Sequence, residues 1–204
     1  MSESATPPEF DVALAEAAAW AGAGPEGIGE TAFEPPTGEQ PLDVEGDDPA
    51  VALRQTLGMF ATGVTVVTTL VSEQIHGMTA NAFMSVSLEP PLVLISVDRR
   101  TKMCSLLHQE CRFGVSVLAH DQRALSDRFA GRPADGGPEP SFAIVHEAPV
   151  VEGAAAHFVA IIDRSYWGGD HSLFLGRVEY ARFTPDARPL LFHGGEYGSL
   201  SSGP

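Results

Sequence analysis

Lysine is almost missing from this chain: Lys102 is the only one in 204 residues, and Lys+Arg total 12 against 27 Asp+Glu. The formal net charge of −15 argues against a general nucleic-acid role, which needs a basic footprint. Cysteine is nearly as scarce, and Cys104 and Cys111 alone cannot build a disulfide framework. The longest apolar runs are strand-sized and broken by Arg, Gly or Thr, well short of the ~20 residues of a membrane span. The opening MSESATPPEFD has neither a basic start nor a continuous apolar stretch, so no secretory signal is read. These absences lead to the expectation of a cytoplasmic protein with no membrane and no nucleic-acid partner. No GxSxG nucleophile elbow is present, and no GxGxxG fingerprint follows a strand. Any nicotinamide cofactor would have to bind without a Rossmann domain.

What charge there is falls unevenly. Residues 1–49 hold twelve acidic side chains and no Lys or Arg, while residues 50–204 carry fifteen acids against twelve bases. The acidity thus belongs to an extension, residues 1–48, preceding a nearly balanced domain, residues 49–204. The extension is rich in Ala, Gly, Pro and Glu and buries too little apolar surface to offset the entropy of ordering it. It is expected to be a disordered acidic tail. Phe10, Val12, Leu14, Ala17, Ala18 and Trp20 predict a helix of about three turns within it, marginal in isolation. Trp20 and Phe33 leave open the alternative that this segment docks on a surface.

The domain is expected to start with Asp48 as N-cap and Pro49 in the first helical turn. Val51, Leu53, Leu57 and Phe60 supply that helix with an apolar face. VTVVTTLV (64–71), dense in β-branched residues and closed by Ser72-Glu73-Gln74, predicts a strand and a turn. Further strands are expected at 75–80, 83–87, 91–97 and 113–119. A long hairpin, 156–165 with 171–183, flanks Trp167-Gly168-Gly169-Asp170, and a short strand lies near 189–193. Helices are expected at 101–111 and at 121–130, the second capped by Asp121, and 131–141 reads as a loop. Many short strands with few helices point to a mainly antiparallel barrel.

Cys104, His108 and Cys111, spaced by four and three, would share one helix face. A zinc site would need a further ligand or an open water position that the sequence does not offer, so the expectation is buried thiols and no metal. The informative segment is GMTANAFMSVSLEPPLVLISVDRRT (77–101). Thr79, Ala80, Asn81, Ser85 and Ser87 place small polar groups along two successive strands, where a planar ligand can lie close to the backbone. The next strand then delivers Asp98, Arg99, Arg100 and Thr101 to a helix start, an arrangement suited to phosphate. A ring platform beside a phosphate clamp points to a flavin mononucleotide.

Over residues 50–200 the chain resembles the flavin reductase-like proteins of the FMN-binding split-barrel fold. The likeness rests on FATGVTVVTT (60–69), G-MTANAF-MSVSLEPPLVLISVD (77–98), F-GVSVLAHDQ (113–122), LSDRFAG (125–131), GGDHSLFLGRV (168–178) and PLLFHGGEY (189–197), in matching order and spacing. The resemblance implies a six-stranded antiparallel Greek-key split barrel with a few flanking helices, forming a homodimer with flavin near the subunit interface. The implied activity is hydride transfer from NADH or NADPH to FMN, with FAD possible, giving reduced flavin for a partner monooxygenase. Position by position, it places flavin contacts on Thr79, Ala80, Asn81, Ala82, Ser85, Val86 and Ser87. The phosphate region falls on Asp98, Arg100 and Thr101, and a second flavin-facing segment on Ala119, Gln122, Ser126 and Phe129. Gly169, Asp170 and His171 form the turn whose histidine lies near the nicotinamide, with Tyr197 close to the same pocket. His171 is thus the implied catalytic position, orienting the nicotinamide. Ala82 stands where family members frequently carry serine, and residues 1–49 have no counterpart in the compact members. A non-catalytic flavin-binding or partner-binding subunit is the alternative, and flavin held as a prosthetic group is a third reading.

Overall fold

The computed structural model describes residues 42–45, 47–133 and 137–200. The expectations placed on Phe10 to Trp20 and on Phe33 lie outside these residues.

Helix α1 (Pro49–Gly58) begins as its sequence dictates. Asp48 Oδ1 accepts from the N–H groups of Ala50 (2.9 Å) and Val51 (3.3 Å), with Pro49 in the first turn. Its apolar side chains behave differently from expectation. Only Ala52 is buried, whereas Leu57 is 64% and Phe60 77% exposed, and Val51 and Leu53 are exposed as well.

Strands β1 (Thr62–Gly63) and β2 (Thr65–Val71) follow, then β3 (Gln74–Ala80), β4 (Phe83–Leu88) and β5 (Pro91–Asp98). Helix α2 (Lys102–Leu107) leads to β6 (Arg112–Val117), and helix α3 (Arg123–Phe129) to the hairpin β7 (Phe142–Val145) and β8 (Ala148–Val151). The long hairpin pairs β9 (Ala156–Gly168) with β10 (His171–Phe183), and β11 (Leu190–His193) pairs with β12 (Glu196–Ser199).

Seven strands form one antiparallel sheet in the order β3-β2-β6-β9-β10-β5-β4. Flat, that sheet would set its edge strands about 29 Å apart, at ~4.8 Å per strand. Yet the edges β3 and β4 are joined by Asn81 and Ala82 alone, a connection reaching at most ~11 Å. The sheet must therefore curl until its edges meet at that corner, which makes it a split barrel. Ser96 N–H, donating to Ala82 O at 3.1 Å, fastens the corner to β5.

The strand number departs from the six expected. The main sheet has seven, and β1-β11-β12 and β7-β8 form two small sheets. Pieces of two to four residues are too short to show a period. The β7–β8 turn also lacks the usual Asn-Gly signal: His146 and Glu147 take positive φ (45° and 64°) themselves.

Val67, Val93, Ile95, Val97, Phe113, Val115 and Phe174 fill the barrel, closed by Met103, Cys104 and Leu107 of α2. Val64, Val66, Leu118, Leu125, Val151 and Leu190 make a second core beneath α3 and β11. Because β2 is buried on both faces from Thr65 to Thr69, it reads as an unbroken β-branched run. Two helix expectations need correction. Helix α2 stops at Leu107 with His108 as C-cap, so Cys104, His108 and Cys111 do not share a helix face; Cys104 is buried and Cys111 exposed. Helix α3 is capped at Gln122 and not at Asp121, without a side-chain hydrogen bond. Among the described residues, no helix is long and apolar enough to cross a membrane.

Candidate functional site

The corner at Asn81-Ala82 lies where three hollows meet. Asn81 lines a largely apolar cleft of about 560 Å³, a pocket of mixed lining of about 200 Å³ and a hollow of about 290 Å³. The large cleft has Leu57 and Phe60 on one side, Ala82 and Met84 at the corner, and Leu94 and Ser96 of β5 as floor. Strand alternation makes that floor. Val93, Ile95 and Val97 point into the core, so Leu94, Ser96 and Asp98 share the opposite, partly exposed face. Cross-strand pairing extends the face onto β10, where Leu173 stands opposite Ser96 and His171 opposite Asp98. Asp98 and His171 therefore lie only two residues, about 7 Å, beyond the Ser96 end of the cleft.

At this far end, Arg100 donates through Nη2 to Asp98 Oδ2 (2.6 Å) and through Nε to both carboxylate oxygens (3.1 and 3.2 Å). The hydrogen bonds from Arg100, with its charge adding to them, hold the Asp98 carboxyl far below the usual carboxylate range. Thr101 Oγ1 donates to Asp98 O (2.7 Å) and accepts from Cys104 N–H (3.2 Å), so it caps α2. The β9–β10 turn brings His171 Nδ1 to 2.7 Å from Asp170 Oδ1. A carboxylate only accepts, so Nδ1 carries the proton and Nε2 is left for another partner. That hydrogen bond is the main reason the Asp170 pKa is lowered. Gly169 supports the turn with φ +68°. Arg99, counted by its sequence position among the phosphate-facing groups, lies instead 3.7 Å over the ring of Trp167, which is 79% exposed.

On the other side of the corner, Thr79, Ala80 and Asn81 share the 200 Å³ pocket with Ser126, Arg132 and Tyr197. Thr79 Oγ1 donates to Ser126 O (2.7 Å). Tyr197 donates to Asp127 Oδ1 (3.2 Å), so the buried Ser126 hydroxyl at 2.8 Å is the donor to Tyr197. Arg123 and Arg132 line an adjoining polar hollow of about 340 Å³, Arg123 lying 5.0 Å over the Tyr197 ring.

The structure thus gathers Thr79, Ala80, Asn81, Ala82, Ser126 and Tyr197 at the corner, and Asp98, Arg100, Thr101, Asp170 and His171 at the end of β5. It does not bring Ser85, Val86 and Ser87 to either group. They run away from the corner along edge strand β4 through an irregularity in its register, and Ser87 Oγ accepts from Glu89 N–H (3.2 Å). Ala119, Gln122 and Phe129 serve α3 itself. Gln122 accepts from Ala119 N–H (3.0 Å) and donates to Glu152 O (2.9 Å). Phe129 lies so close over Gly77 that a Cβ there would stand 2.6 Å from its ring. Sequence reasoning gave Leu57 and Phe60 only a helix face, and Leu94, Ser96, Arg123 and Arg132 no place in the site. Ser96 carried a signal, as the one polar residue within VLISV; the others meet only in the folded chain.

The cleft fits a flavin: apolar walls around small residues suit a tricyclic ring, and cations beside its end suit a phosphate. Comparison with known proteins agrees. A family described as the flavin reductase like domain matches residues 57–201. The NADH-dependent flavin reductase of a Rhodococcus species is 44% identical over 159 residues, 75% of this chain and 89% of that protein. The reductase component of the 4-hydroxyphenylacetate 3-monooxygenase of Thermus thermophilus is 41% identical over 141 residues, 69% of this chain and 90% of that protein. The solved Streptomyces globisporus NADH:FAD oxidoreductase, in complex with NAD and FAD fragments, has a TM-score of 0.71 and 42% identity, covering 78% of this chain and 98% of its own. By the match of more than two thirds of its length, and by the shared fold, this chain belongs to the flavin reductase like domain family.

Proposed function

We propose that this protein is an NAD(P)H-dependent flavin reductase that passes reduced FMN or FAD to a partner monooxygenase. The observation that carries the reading is the apolar cleft at Asn81-Ala82, whose Ser96 floor leads directly to the paired Asp98 and His171. Relatives whose names state NADH-dependent flavin reduction support it, as does the monooxygenase reductase component of Thermus thermophilus.

Flavin when bound supplies a two-electron acceptor for the dihydronicotinamide. The chain's own work is positioning. Asn81 and Ala82 line the cleft that takes the ring, with Thr79 and Ala80 on the adjoining pocket, and their small side chains leave main-chain groups within reach of a planar edge. Apolar Leu57, Phe60 and Leu94 exclude water from the cleft. Arg100 and Thr101 provide the phosphate contact beside Asp98. The Asp170 carboxylate fixes the His171 tautomer, so that Nε2 can orient the nicotinamide carboxamide. Tyr197 braces the neighbouring pocket. Ala119, Gln122 and Phe129 act through the placement of α3, and a role for Ser85, Val86 and Ser87 requires a ligand or subunit extending along β4.

The protein acts as a homodimer in this reading. The exposed Leu53 and Leu57 of α1, spaced four residues apart, and Phe60 after it form an apolar face that a second copy would cover. Residues 1–48 are an appendage to the reductase domain, 49–204, in a cytoplasmic protein.

The test is NAD(P)H oxidation with and without added flavin, together with the absorption spectrum of the purified protein. Turnover stimulated by added FMN or FAD is expected. A protein that binds flavin without oxidising NAD(P)H would be a non-catalytic subunit, and a yellow protein indifferent to added flavin would hold it as a prosthetic group.

A further inference from the structure

The phosphate contact assigned to Arg100 meets an obstacle in the structure itself. Its Nε–Nη2 edge, the fork that matches two oxygens of a carboxylate or phosphate, is already engaged by Asp98. The Arg100 N–H also donates to Asp98 Oδ1 (2.8 Å), and Asp98 is fixed in the β5–β10 register opposite His171. With only one residue between them, the pair forms without closing a long loop.

The neighbouring charges do not relieve Arg100. Asp98 raises its pKa through the hydrogen bond and its charge, and Asp170, on the adjoining turn, adds to the effect. Arg99 is turned to Trp167, and its N–H donates to Asp170 O (3.0 Å). Arg100 thus meets Asp98 in direct contact and Asp170, itself paired with His171, only at longer range. Its side chain is 84% exposed, and exposed pairs of this kind are weak and exchangeable.

We propose that Asp98 is an affinity-setting residue: it competes with the phosphate of an incoming flavin nucleotide for the forked edge of Arg100, and so keeps bound flavin exchangeable. This rests on the reductase reading above. A ligand with a phosphate must displace the Asp98 carboxylate to gain Arg100, whereas riboflavin, having no phosphate, is indifferent to the exchange. A reductase that supplies flavin to another enzyme has to release it, and the competing carboxylate favours release.

The experiment measures FMN and riboflavin dissociation constants by flavin fluorescence for wild type, Asp98→Asn and Asp98→Asn/Arg100→Gln, with melting curves for each. Asp98→Asn keeps an acceptor for the Arg100 N–H and loses the charge. It is expected to tighten FMN roughly tenfold, as a freed charge-assisted contact would, slow FMN release, and leave riboflavin unchanged. Adding Arg100→Gln should cancel the gain. Asp98→Ser, which also retains a turn acceptor, should repeat it if the Asn variant melts early. An unchanged FMN-to-riboflavin ratio in both Asp98 variants overturns the proposal. Weaker FMN binding overturns it in favour of Asp98 as an orienting partner of Arg100. Wild-type protein that binds neither flavin overturns the reductase reading itself, a result separable from the other two.

Discussion

Tyr197 Oη stands 2.8 Å from Ser126 Oγ, a contact that ties strand β12 to helix α3 across 71 residues of chain. Ser126 is fully buried, and Thr79 from β3 donates to its carbonyl. One serine thus holds three elements around the small pocket it shares with Thr79 and Tyr197. Its hydroxyl proton goes to Tyr197, whose own proton goes to Asp127.

Tyr197→Phe removes the acceptor of a buried hydroxyl, at a cost of about 1 kcal/mol. A fall in Tm of roughly 2–4 °C is expected for a domain of this size, with flavin affinity altered less than stability. An unchanged Tm together with a large loss of NAD(P)H binding would mean that Tyr197 acts on the nucleotide and not as a brace.

Gly77→Ala drives a methyl against Phe129, since a Cβ there would lie 2.6 Å from Cε1 and 2.7 Å from Cδ1. Overpacking of this kind costs about 1–3 kcal/mol. Denaturant unfolding should show that loss, and pairing the change with Phe129→Leu should recover part of it. Equal losses in the single and double variants would show that the strain lies elsewhere.

His171→Ala should lower kcat/KM for NAD(P)H by roughly tenfold or more through lost positioning, while the FMN dissociation constant and Tm stay near wild type. The opposite pattern, a lower Tm with normal kinetics in the folded fraction, would reduce the Asp170–His171 contact to a turn cap.

Glu179 accepts from Arg112 Nε at 2.9 Å, and this hydrogen bond is the main reason its pKa is lowered. A carboxylate made more acidic by folding stabilises fully above its unfolded pKa, about 4.3, and loses that contribution as pH falls through the folded value. Glu179→Gln should therefore melt below wild type at neutral pH, and the gap should close in acid. A gap independent of pH would rule out the ion pair as its source.

A chain beginning at Asp48 loses eleven acidic side chains and keeps the α1 N-cap. It should fold and capture anionic flavin and NAD(P)H faster at low ionic strength, the advantage vanishing as salt screens the charge. Identical capture rates at every salt concentration would mean that the extension has no electrostatic effect on the site.

Local rules were enough for much of this protein. The N-cap at Asp48, the β-branched run of β2, the Ser72-Glu73 turn and the β9–β10 hairpin are each decided within a few residues, by capping, side-chain branching and turn chemistry. Thr79, Ala80, Asn81, Ser85 and Ser87 stood out as small groups against their neighbours, yet only the first three come together at the corner. What lies between strands was not legible. Closure of the sheet at Asn81-Ala82, the placing of Phe60 and Ser96 around one cleft, and the Ser126–Tyr197 bond depend on register and curvature summed over seven strands. The exposed face of α1 and the capture of Arg100 by Asp98 were decided there too. An amphipathic pattern states that a face is apolar and not what covers it, and a run of Asp and Arg states charge and not which groups pair. Only tertiary geometry, in which a few ångströms separate a competing contact from a free one, could choose between them.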